Sequence, residues 1–423
     1  MPEISPTSRI AAERLDADDP LAPFRDEFVI DDDSICYLDG NSLGRLPRAT
    51  IDVVQTYLRE EWGSRLVDGW NDWIDEAQST GDLIGRASLG AAPGQVLAVD
   101  TTSVNFYQLC HAAIRARPTR RTVVTDRANF PTDRYVLEGL CDDLNLDLVY
   151  IDDEDGEEYV TPEMLSRHVN SDTALVTLSV IQYRSGALHH VAELTRIARE
   201  AGALFVWDAS HAVGVVPLSF DRDGVDLAVG CTYKYGNSGA GSPAWLYVRS
   251  SIQQELQVPI QGWFAQRDQF VMGQGFDKAL DIRGFQVASP SIIGLRCVHS
   301  AFSMIERATL PAIAAKAALG TQLMVDLHDE WLAPLGCSLV TPRDAHRRGG
   351  HVTIRHADAK KISLGLRQFA NVIGDYRQPD CIRLAMSPLA TSFVEVWEGF
   401  NRLREVIATG RYNDAAEPSS RVT

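Results

Sequence analysis

Two side chains that could act together in a reaction follow successive apolar runs near the middle of the chain. Asp208 ends the run "ALFVWD", and Lys234 comes 26 residues later, just after the run "LAVGC". Each has a simpler explanation on its own, since an aspartate at a strand end often caps a turn and a lysine usually faces solvent. Ligands of open α/β sheets bind at the carboxyl ends of the strands. The two residues together therefore predict a carboxylate beside a lysine at such a sheet edge.

That pair is what pyridoxal phosphate requires of a protein: a lysine that holds it as a Schiff base and a carboxylate that keeps the pyridine nitrogen protonated. "DTTSVNFYQL" places Thr102 and Ser103 where a helix begins, and free N–H groups there favour a phosphate, although plain N-capping explains them equally well. "NFPTDRY" offers Phe130 as a ring to cover the pyridine, with Asp133 nearby, while His211 follows Asp208 by three residues. A phenylalanine taken alone is more commonly a core residue.

The elements that would position these residues alternate between strand and helix. Short apolar runs begin at residues 96, 122, 146, 174, 203, 227 and 243, and amphipathic segments such as "HVAELTRIAREAG" lie between most of them. This alternation predicts an α/β fold with a mainly parallel sheet covered on both faces. We expect an N-terminal segment (1–70), a large α/β domain (71–295) and a small C-terminal α+β domain (296–423), with residues 413–423 disordered.

Composition excludes several classes of partner. The net charge of -17 over 423 residues repels nucleic acid and anionic membranes, and no apolar run approaches the roughly 20 residues of a membrane span. The N-terminus does not have the pattern of a secretory signal. The seven cysteines are odd in number and contain no CxxC pair, which indicates free thiols in a cytoplasmic protein and no metal site.

Several motifs together resemble the kynureninase family over nearly the whole chain, from about residue 35 to 405. They are "YLDGNSLGRLP", "TTSVN", "NFPTDRY", "WDASHAVGVVP", "GVDLAVGCTYKY", "QGWF" and "IRLAMSPL", in the family's order and approximate spacing. Kynureninases are pyridoxal-phosphate enzymes of fold type I, the aspartate aminotransferase-like fold. The resemblance implies that fold, pyridoxal 5'-phosphate as cofactor, and a homodimer with shared active sites.

The resemblance also implies a role for each matching residue. Lys234 would bind the cofactor covalently and move protons, Asp208 would pair with the pyridinium nitrogen, and Tyr233 would be an acid. Further cofactor contacts would come from Thr102, Ser103, Phe130, Asp133, His211, Tyr233, Trp263 and Ser289, of which Trp263 and Ser289 would belong to the partner subunit.

The substrate side of the resemblance is less complete. Arg383 would grip the substrate's α-carboxylate with a fork that lysine could not reproduce, and Trp70 would contact its aromatic ring. Where the family usually has "GWFGH" and "PLY", this chain has Ala265 with Gln266, and Ala390. These departures predict retained bond cleavage on an altered substrate, such as a ring-substituted kynurenine.

The implied reaction hydrolyses the Cβ–Cγ bond of a kynurenine to an anthranilate-type acid and L-alanine, as in tryptophan degradation by the kynurenine pathway. One alternative keeps the cofactor but makes the protein another lyase, a transaminase or a desulfurase of the same fold. A desulfurase would need a thiol nucleophile, for which Cys337 in "LGCSLV" is the best-placed candidate, although it resembles strand core. A non-catalytic pyridoxal-phosphate-binding regulator is the other alternative, but the short acidic N-terminus leaves no room for a DNA-binding domain.

Overall fold

The computed structural model describes residues 5–153, 156 and 158–416, so most of the tail that was expected to be disordered lies outside the described residues. The described part of that tail, residues 413–416, is ordered, because the Ala416 backbone exchanges two hydrogen bonds with the Gln368 amide. The strands are β1 (Cys36–Tyr37), β2 (Val96–Ala98), β3 (Thr122–Asp126), β4 (Asp147–Ile151), β5 (Thr173–Ser179), β6 (Leu204–Asp208), β7 (Leu227–Gly230), β8 (Trp245–Val248), β9 (Ser338–Leu339), β10 (His351–Arg355), β11 (Val372–Ile373), β12 (Asp375–Arg377) and β13 (Cys381–Ala385).

The helices alternate with the strands through the first two thirds of the chain and dominate its last third. They are α1 (Arg9–Ala17), α2 (Arg48–Thr56), α3 (Gly63–Arg65), α4 (Trp70–Trp73), α5 (Glu76–Ile84), α6 (Thr102–Arg115), α7 (Pro131–Leu144), α8 (Pro162–His168), α9 (Val191–Glu200), α10 (Phe220–Asp223), α11 (Ile292–Ala308), α12 (Leu310–Leu327), α13 (Ala359–Phe369) and α14 (Phe393–Ala408).

The central sheet has the order β2-β8-β7-β6-β5-β3-β4, and its strands are parallel except β8, which runs antiparallel to both neighbours. The seven apolar runs of the sequence form these seven strands, as predicted. All residues of β5 are buried, which is the pattern of a parallel strand covered on both faces. The sheet therefore brings the carboxyl ends of β3, β5, β6 and β7 to one edge.

A second, antiparallel sheet has the order β12-β13-β10-β9 and packs against α12 and α13. The N-terminal segment joins this part of the molecule, because β1 pairs in parallel with β11 and α1 packs on α14. The Asp16 carboxylate also accepts hydrogen bonds from the first backbone N–H groups of α14, at Phe393 and Val394.

Buried apolar side chains form two cores. The larger one surrounds the central sheet and includes α11, and the smaller one lies between the antiparallel sheet, α12 and α14. The larger core also takes Leu21 from the N-terminal segment and Ala390 from the C-terminal region, so it crosses the expected domain boundaries. Those boundaries at residues 70 and 295 stay predictions.

Within the described ranges, no single helix is long and apolar enough to cross a membrane. The helical stretches Ile292–Ala308 and Leu310–Leu335 meet the length and composition criteria only as a pair, which is bent by 82°. Side chains of both stretches belong to the larger core, for example Phe302 and Ile313.

Candidate active site

A cavity of about 220 Å³ lies at the carboxyl ends of the central strands. Its walls come from the ends of β5 and β6, the turn after β7, and the first residues of α6 and α7. The lining residues are Thr102, Ser103, Phe130, Thr132, Asp133, Ser179, Ile181, Tyr183, Asp208, Ser210, His211, Tyr233 and Lys234. The sheet thus brings together the residues that the sequence placed after separate strands.

Asp208 and Lys234 reach the cavity from neighbouring strands. β6 and β7 are paired, with Asp208 opposite Val229, and Lys234 follows in the turn after β7. The Asp208 side chain is buried, and its Oδ1 accepts a hydrogen bond from the Ser210 N–H at 2.8 Å. A carboxylate and an amine therefore face one cavity from adjacent strand ends, as the first inference from the sequence required.

At the N-terminus of α6, different residues cap the helix and line the cavity. Thr101 is the N-cap residue, and its side chain accepts from the N–H of Val104. Thr102 and Ser103, in the first turn, line the cavity instead. The capping explanation thus belongs to Thr101, and the two hydroxyls that follow lie beside the free N–H groups of the helix, where an anion is stabilised.

Phe130 forms the aromatic wall of the cavity. Its ring is 38% exposed and its centre lies 6.0 Å from Nζ of Lys234, so Phe130 is a cavity residue and not a core residue. Asn129, fully buried, fixes the turn, because its Oδ1 accepts from the Phe130 N–H at 2.8 Å and from the Ser179 hydroxyl at 2.8 Å. Tyr183 packs edge-on against the Phe130 ring, with centroids 5.3 Å apart.

Burial shifts the pKa of two groups at the cavity. Desolvation, strengthened by the charge of Asp208, raises the pKa of Asp133 well above its usual value. Desolvation, strengthened by the Lys234 ammonium, lowers the pKa of His211 well below its usual value. Among the described residues, Asp133 Oδ2 and His211 Nδ1 have no hydrogen-bond partner. Buried polar atoms of this kind are the ones that a bound polar ligand satisfies.

Tyr233 precedes the lysine and keeps its proton. Burial raises the pKa of its phenol above the usual value, and the neighbouring Cys231 and Asp208 act in the same direction. The hydroxyl is therefore neutral at physiological pH and can donate a hydrogen bond or a proton. The backbone carbonyl of Tyr233 accepts the N–H of Gly44 at 2.8 Å, which ties this turn to the N-terminal segment.

Arg383 lies behind the cavity wall rather than in it. The side chain is 1% exposed, on β13, directly opposite Asp375 on β12. Asp375 Oδ1 accepts from its Nε at 2.8 Å, Oδ2 accepts from Nη2, and the carbonyl of Tyr183 accepts from Nη1. The hydroxyl of Ser42 accepts from Nη2 at 3.1 Å. Tyr183 thus connects the guanidinium to the cavity.

Three further residues expected at the site lie away from this cavity. Trp263 is 43% exposed and packs on Phe264, and the ring centroid of Phe264 also lies 6.1 Å from that of Trp70. Ser289 is exposed. The chain's own cavity is therefore built without Trp70, Trp263 and Ser289.

The positions that depart from the family pattern also lie outside the lining. Ala265 and Ala390 are fully buried, and Ala390 belongs to the larger core. Gln266 has a partner in its own loop, because its Oε1 accepts from the Asp277 N–H at 2.8 Å.

Sequence reasoning missed five lining residues: Thr132, Ser179, Ile181, Tyr183 and Ser210. Ser210 carried a usable signal, since it is polar and follows the apolar run that ends at Asp208, whereas Ser179 lies inside a run that continues to Ile181. Tyr183 carried no such signal, because the sequence does not reveal which side chain an aromatic residue after a strand will contact.

The residues present fit pyridoxal 5'-phosphate. Hydroxyls at a helix N-terminus suit a phosphate, a carboxylate at a strand end suits a pyridinium nitrogen, and an amine suits an aldehyde. Phe130 supplies a ring face, and the unpartnered atoms of Asp133 and His211 leave donors and acceptors for a polar heterocycle.

Comparison with known proteins identifies the family of the chain. Residues 313–403 match the family model described as kynureninase C-terminal domain. The kynureninase of Pseudomonas fluorescens is 35% identical over 409 residues, covering 95% of this chain and 96% of the relative. The kynureninase of Burkholderia pseudomallei (strain 1106a) is 36% identical over 410 residues, covering 95% and 96%.

Solved structures with much lower identity share the fold. The apo cysteine desulfurase from Thermococcus onnurineus NA1 matches with a TM-score of 0.78 at 18% identity, covering 94% of this chain and 98% of its own. The cysteine desulfurase CsdA from Escherichia coli matches with a TM-score of 0.77 at 12% identity, covering 94% and 99%. These neighbours confirm the predicted fold type I, and the full-length identity to curated relatives shows that the chain belongs to the kynureninase family.

Proposed function

We propose that the protein hydrolyses the Cβ–Cγ bond of L-kynurenine, 3-hydroxykynurenine or a ring-substituted kynurenine, releasing an anthranilate-type acid and L-alanine. The observation that carries the proposal is the convergence of Lys234 and Asp208 on one cavity in a chain that matches kynureninases along 95% of its length. It is an enzyme of that family and uses pyridoxal 5'-phosphate, which, when bound, supplies the electron sink for the bond cleavage.

Each polar residue at the cavity has a proposed role in binding the cofactor or in moving protons. Lys234 attaches the cofactor and moves protons, and the Asp208 carboxylate holds a proton on the pyridine nitrogen. Thr102 and Ser103 bind the phosphate together with the N–H groups of α6. Tyr233, whose raised pKa keeps it protonated, would donate a proton to the substrate Cβ, which keeps the electron pair of the broken Cβ–Cγ bond.

Substrate recognition would come from groups around the cavity. We assign the α-carboxylate to Arg383, because a guanidinium is a strong partner for a carboxylate and this one donates to the carbonyl of Tyr183, a residue that lines the cavity. We assign the aromatic ring of the substrate to the neighbourhood of Trp70. The departures from the family pattern at Ala265, Gln266 and Ala390 are the reason for including ring-substituted kynurenines among the proposed substrates. None of the three residues lines the chain's own cavity, and Gln266 bonds within its own loop.

The desulfurase alternative lacks a suitable thiol at the expected position. Cys337 is buried in the smaller core, and burial raises its pKa to about 11, so it is a poor nucleophile at neutral pH. Cys231, which lies near Lys234, is also buried and has a raised pKa.

We further propose a homodimer in which the partner subunit supplies Trp263 and Ser289 to each cavity. Both side chains are exposed to a large degree and lie away from the chain's own cavity, which supports this arrangement. All seven cysteines are free, and this supports a cytoplasmic location.

Turnover and covalent trapping test the function. We expect purified protein to release L-alanine and an anthranilate-type acid from kynurenines, with the preferred ring substituents read from product mass. Borohydride reduction of the holoenzyme should fix the cofactor to the peptide that contains Lys234, and Lys234→Ala should lose both labelling and turnover. Labelling of a different lysine, or release of sulfur from cysteine in place of kynurenine cleavage, would contradict the proposal.

A further inference from the structure

An enzyme that acts on an α-amino acid must hold the amino and carboxyl ends of one small molecule at a fixed separation. In this chain Arg383 is assigned to the carboxyl end, and the amino end would meet the cofactor that Lys234 holds. Lys234 follows β7 of the central sheet, whereas Arg383 lies on β13 of the small antiparallel sheet. Something must therefore set the position of one relative to the other, because a misplacement of about 1 Å can cost roughly a hundredfold in rate.

Residues 39–44, the sequence "DGNSLG", contact both Arg383 and the turn that carries Lys234. We call this segment the strap. Ser42 connects the strap to the arginine. Its hydroxyl accepts from Arg383 Nη2 at 3.1 Å and donates to Asp375 Oδ2 at 2.8 Å. Ser42 thus holds both the guanidinium and the carboxylate that orients it.

The other end of the strap meets the lysine turn through backbone alone. The N–H of Gly44 donates to the carbonyl of Tyr233 at 2.8 Å. A Cβ on Gly44 would lie 2.4 Å from the Lys234 carbonyl oxygen and 2.3 Å from Asn237 Oδ1. Because real Cβ atoms do not approach backbone so closely, only glycine allows this contact without displacing the lysine turn.

The start of the strap is fixed to the small sheet as well. Asp39 forms a parallel bridge with Ala385, at the end of the strand that carries Arg383. Ser42 N–H donates to the Asp39 carbonyl at 2.9 Å, so the segment turns as a compact unit rather than as a loose loop. The strap therefore has defined contacts with β13, with the guanidinium and with the Tyr233–Lys234 turn.

We infer that the strap is a positioning element, which sets the separation between Arg383 and Lys234 and so matches the site to the length of an α-amino carboxylate. The inference rests on the proposed role of Arg383 as the carboxylate-binding residue. Ser42 and Gly44 act through the arginine and the lysine turn, and neither is required for the chemical step itself.

Equilibrium binding to the holoenzyme tests the strap with two probes, L-alanine and L-alaninamide, which differ in the carboxylate. We expect Ser42→Ala to weaken L-alanine binding roughly tenfold, because a hydrogen bond to a charged group is lost, and to leave L-alaninamide binding within about twofold. We expect Gly44→Ala to reduce the preference for L-alanine by a similar factor. Because both substitutions disturb one element, the double variant should lose little more than the stronger single variant.

Matched controls separate positioning from general damage. Gly139→Ala adds a Cβ in open space on α7, and Ser171→Ala removes an exposed hydroxyl, so both should keep the wild-type preference. Should Gly44→Ala fail to fold, Ser42→Ala still decides the question.

Arg383→Lys distinguishes failure of the inference from failure of the proposed function. If Arg383→Lys loses the preference for L-alanine while Ser42→Ala and Gly44→Ala keep it, the strap has no positioning role and the proposed function stands. If Arg383→Lys keeps the preference, the arginine does not bind the carboxylate, and both that assignment and the strap are overturned.

Discussion

At the scale of single residues, the walls of the cavity depend on a buried carboxyl that does not line it. Asp126 ends β3, just before the turn that carries Phe130, and its Oδ2 accepts from Gln182 Nε2 at 2.5 Å. Gln182 precedes Tyr183 in the chain, so this hydrogen bond links the segment that carries Tyr183 to the end of the strand that leads to Phe130. Complete burial raises the pKa of Asp126 to about 7.

This raised pKa predicts a pH-dependent stability. The folded state binds a proton that the unfolded state has released between pH ~4 and pH ~7, so the free energy of unfolding falls as pH rises through that window. We expect Asp126→Asn, which keeps the acceptor for Gln182, to lose less stability than wild type between pH 5 and pH 8, by up to about 2.5 kcal/mol. Urea unfolding of cofactor-free protein at one protein concentration measures the difference.

The exposed carboxylate of Asp143, near the C-terminus of α7, offers a control. Asp143→Asn should leave the pH dependence unchanged. An Asp126→Asn variant with the same pH dependence as wild type would show that the Asp126 carboxyl is ionised in the folded protein.

Single residues also show where prediction from sequence stops. The chain position of Arg383 was found from its motif, but its partner Asp375 was not, because cross-strand pairs depend on register rather than on spacing. Likewise, Phe130 was expected over the cofactor, whereas its edge-on contact with Tyr183 depends on how two loops meet.

At the scale of elements, the strands of the central sheet could be predicted from the sequence, whereas the two-residue strands could not. The seven runs of the central sheet are apolar and most are separated by amphipathic segments, so the sequence determines both their type and their approximate ends. Strands β1, β9 and β11 contain two residues each, which is too short for an alternating pattern to be visible. Their pairing is imposed by the surrounding helices and by the N-terminal segment.

The first turn of α6 lets capping and ligand binding be measured separately. Thr101→Ala removes the side chain that accepts from Val104 N–H, so we expect a loss of about 1 kcal/mol in the free energy of unfolding of the cofactor-free protein, with little change in cofactor affinity. Ser103→Ala removes an exposed hydroxyl at the cavity, so we expect the opposite result: unchanged stability within about 0.5 kcal/mol and weaker cofactor binding. Denaturant unfolding and titration with pyridoxal 5'-phosphate give the two quantities. Equal effects of the two substitutions on cofactor affinity would place the phosphate elsewhere.

At the scale of the whole molecule, exposed apolar side chains bear on the proposed dimer. Phe270, Val271 and Met272 are 67–72% exposed, and Trp62 and Val67 are 55% and 76% exposed. Clusters of large apolar side chains on a surface are typical of protein interfaces. Trp263 lies in the same region of sequence as the first three, which supports an interface that also carries site residues.

Mixed dimers decide whether the active sites are shared. Lys234→Ala and Trp263→Ala each damage both sites of their own homodimer. In a hybrid of the two, a shared arrangement gives one site the intact Lys234 of one subunit and the intact Trp263 of the other, while the second site loses both. We therefore expect co-expressed subunits to regain about one quarter of wild-type activity, since about half of randomly mixed dimers are hybrids and each has one complete site. Kynurenine turnover by the mixture, with the two homodimers measured separately, tests this. If Trp263 serves the cavity of its own chain, the hybrid contains no complete site and the mixture gains nothing over the average of its parents.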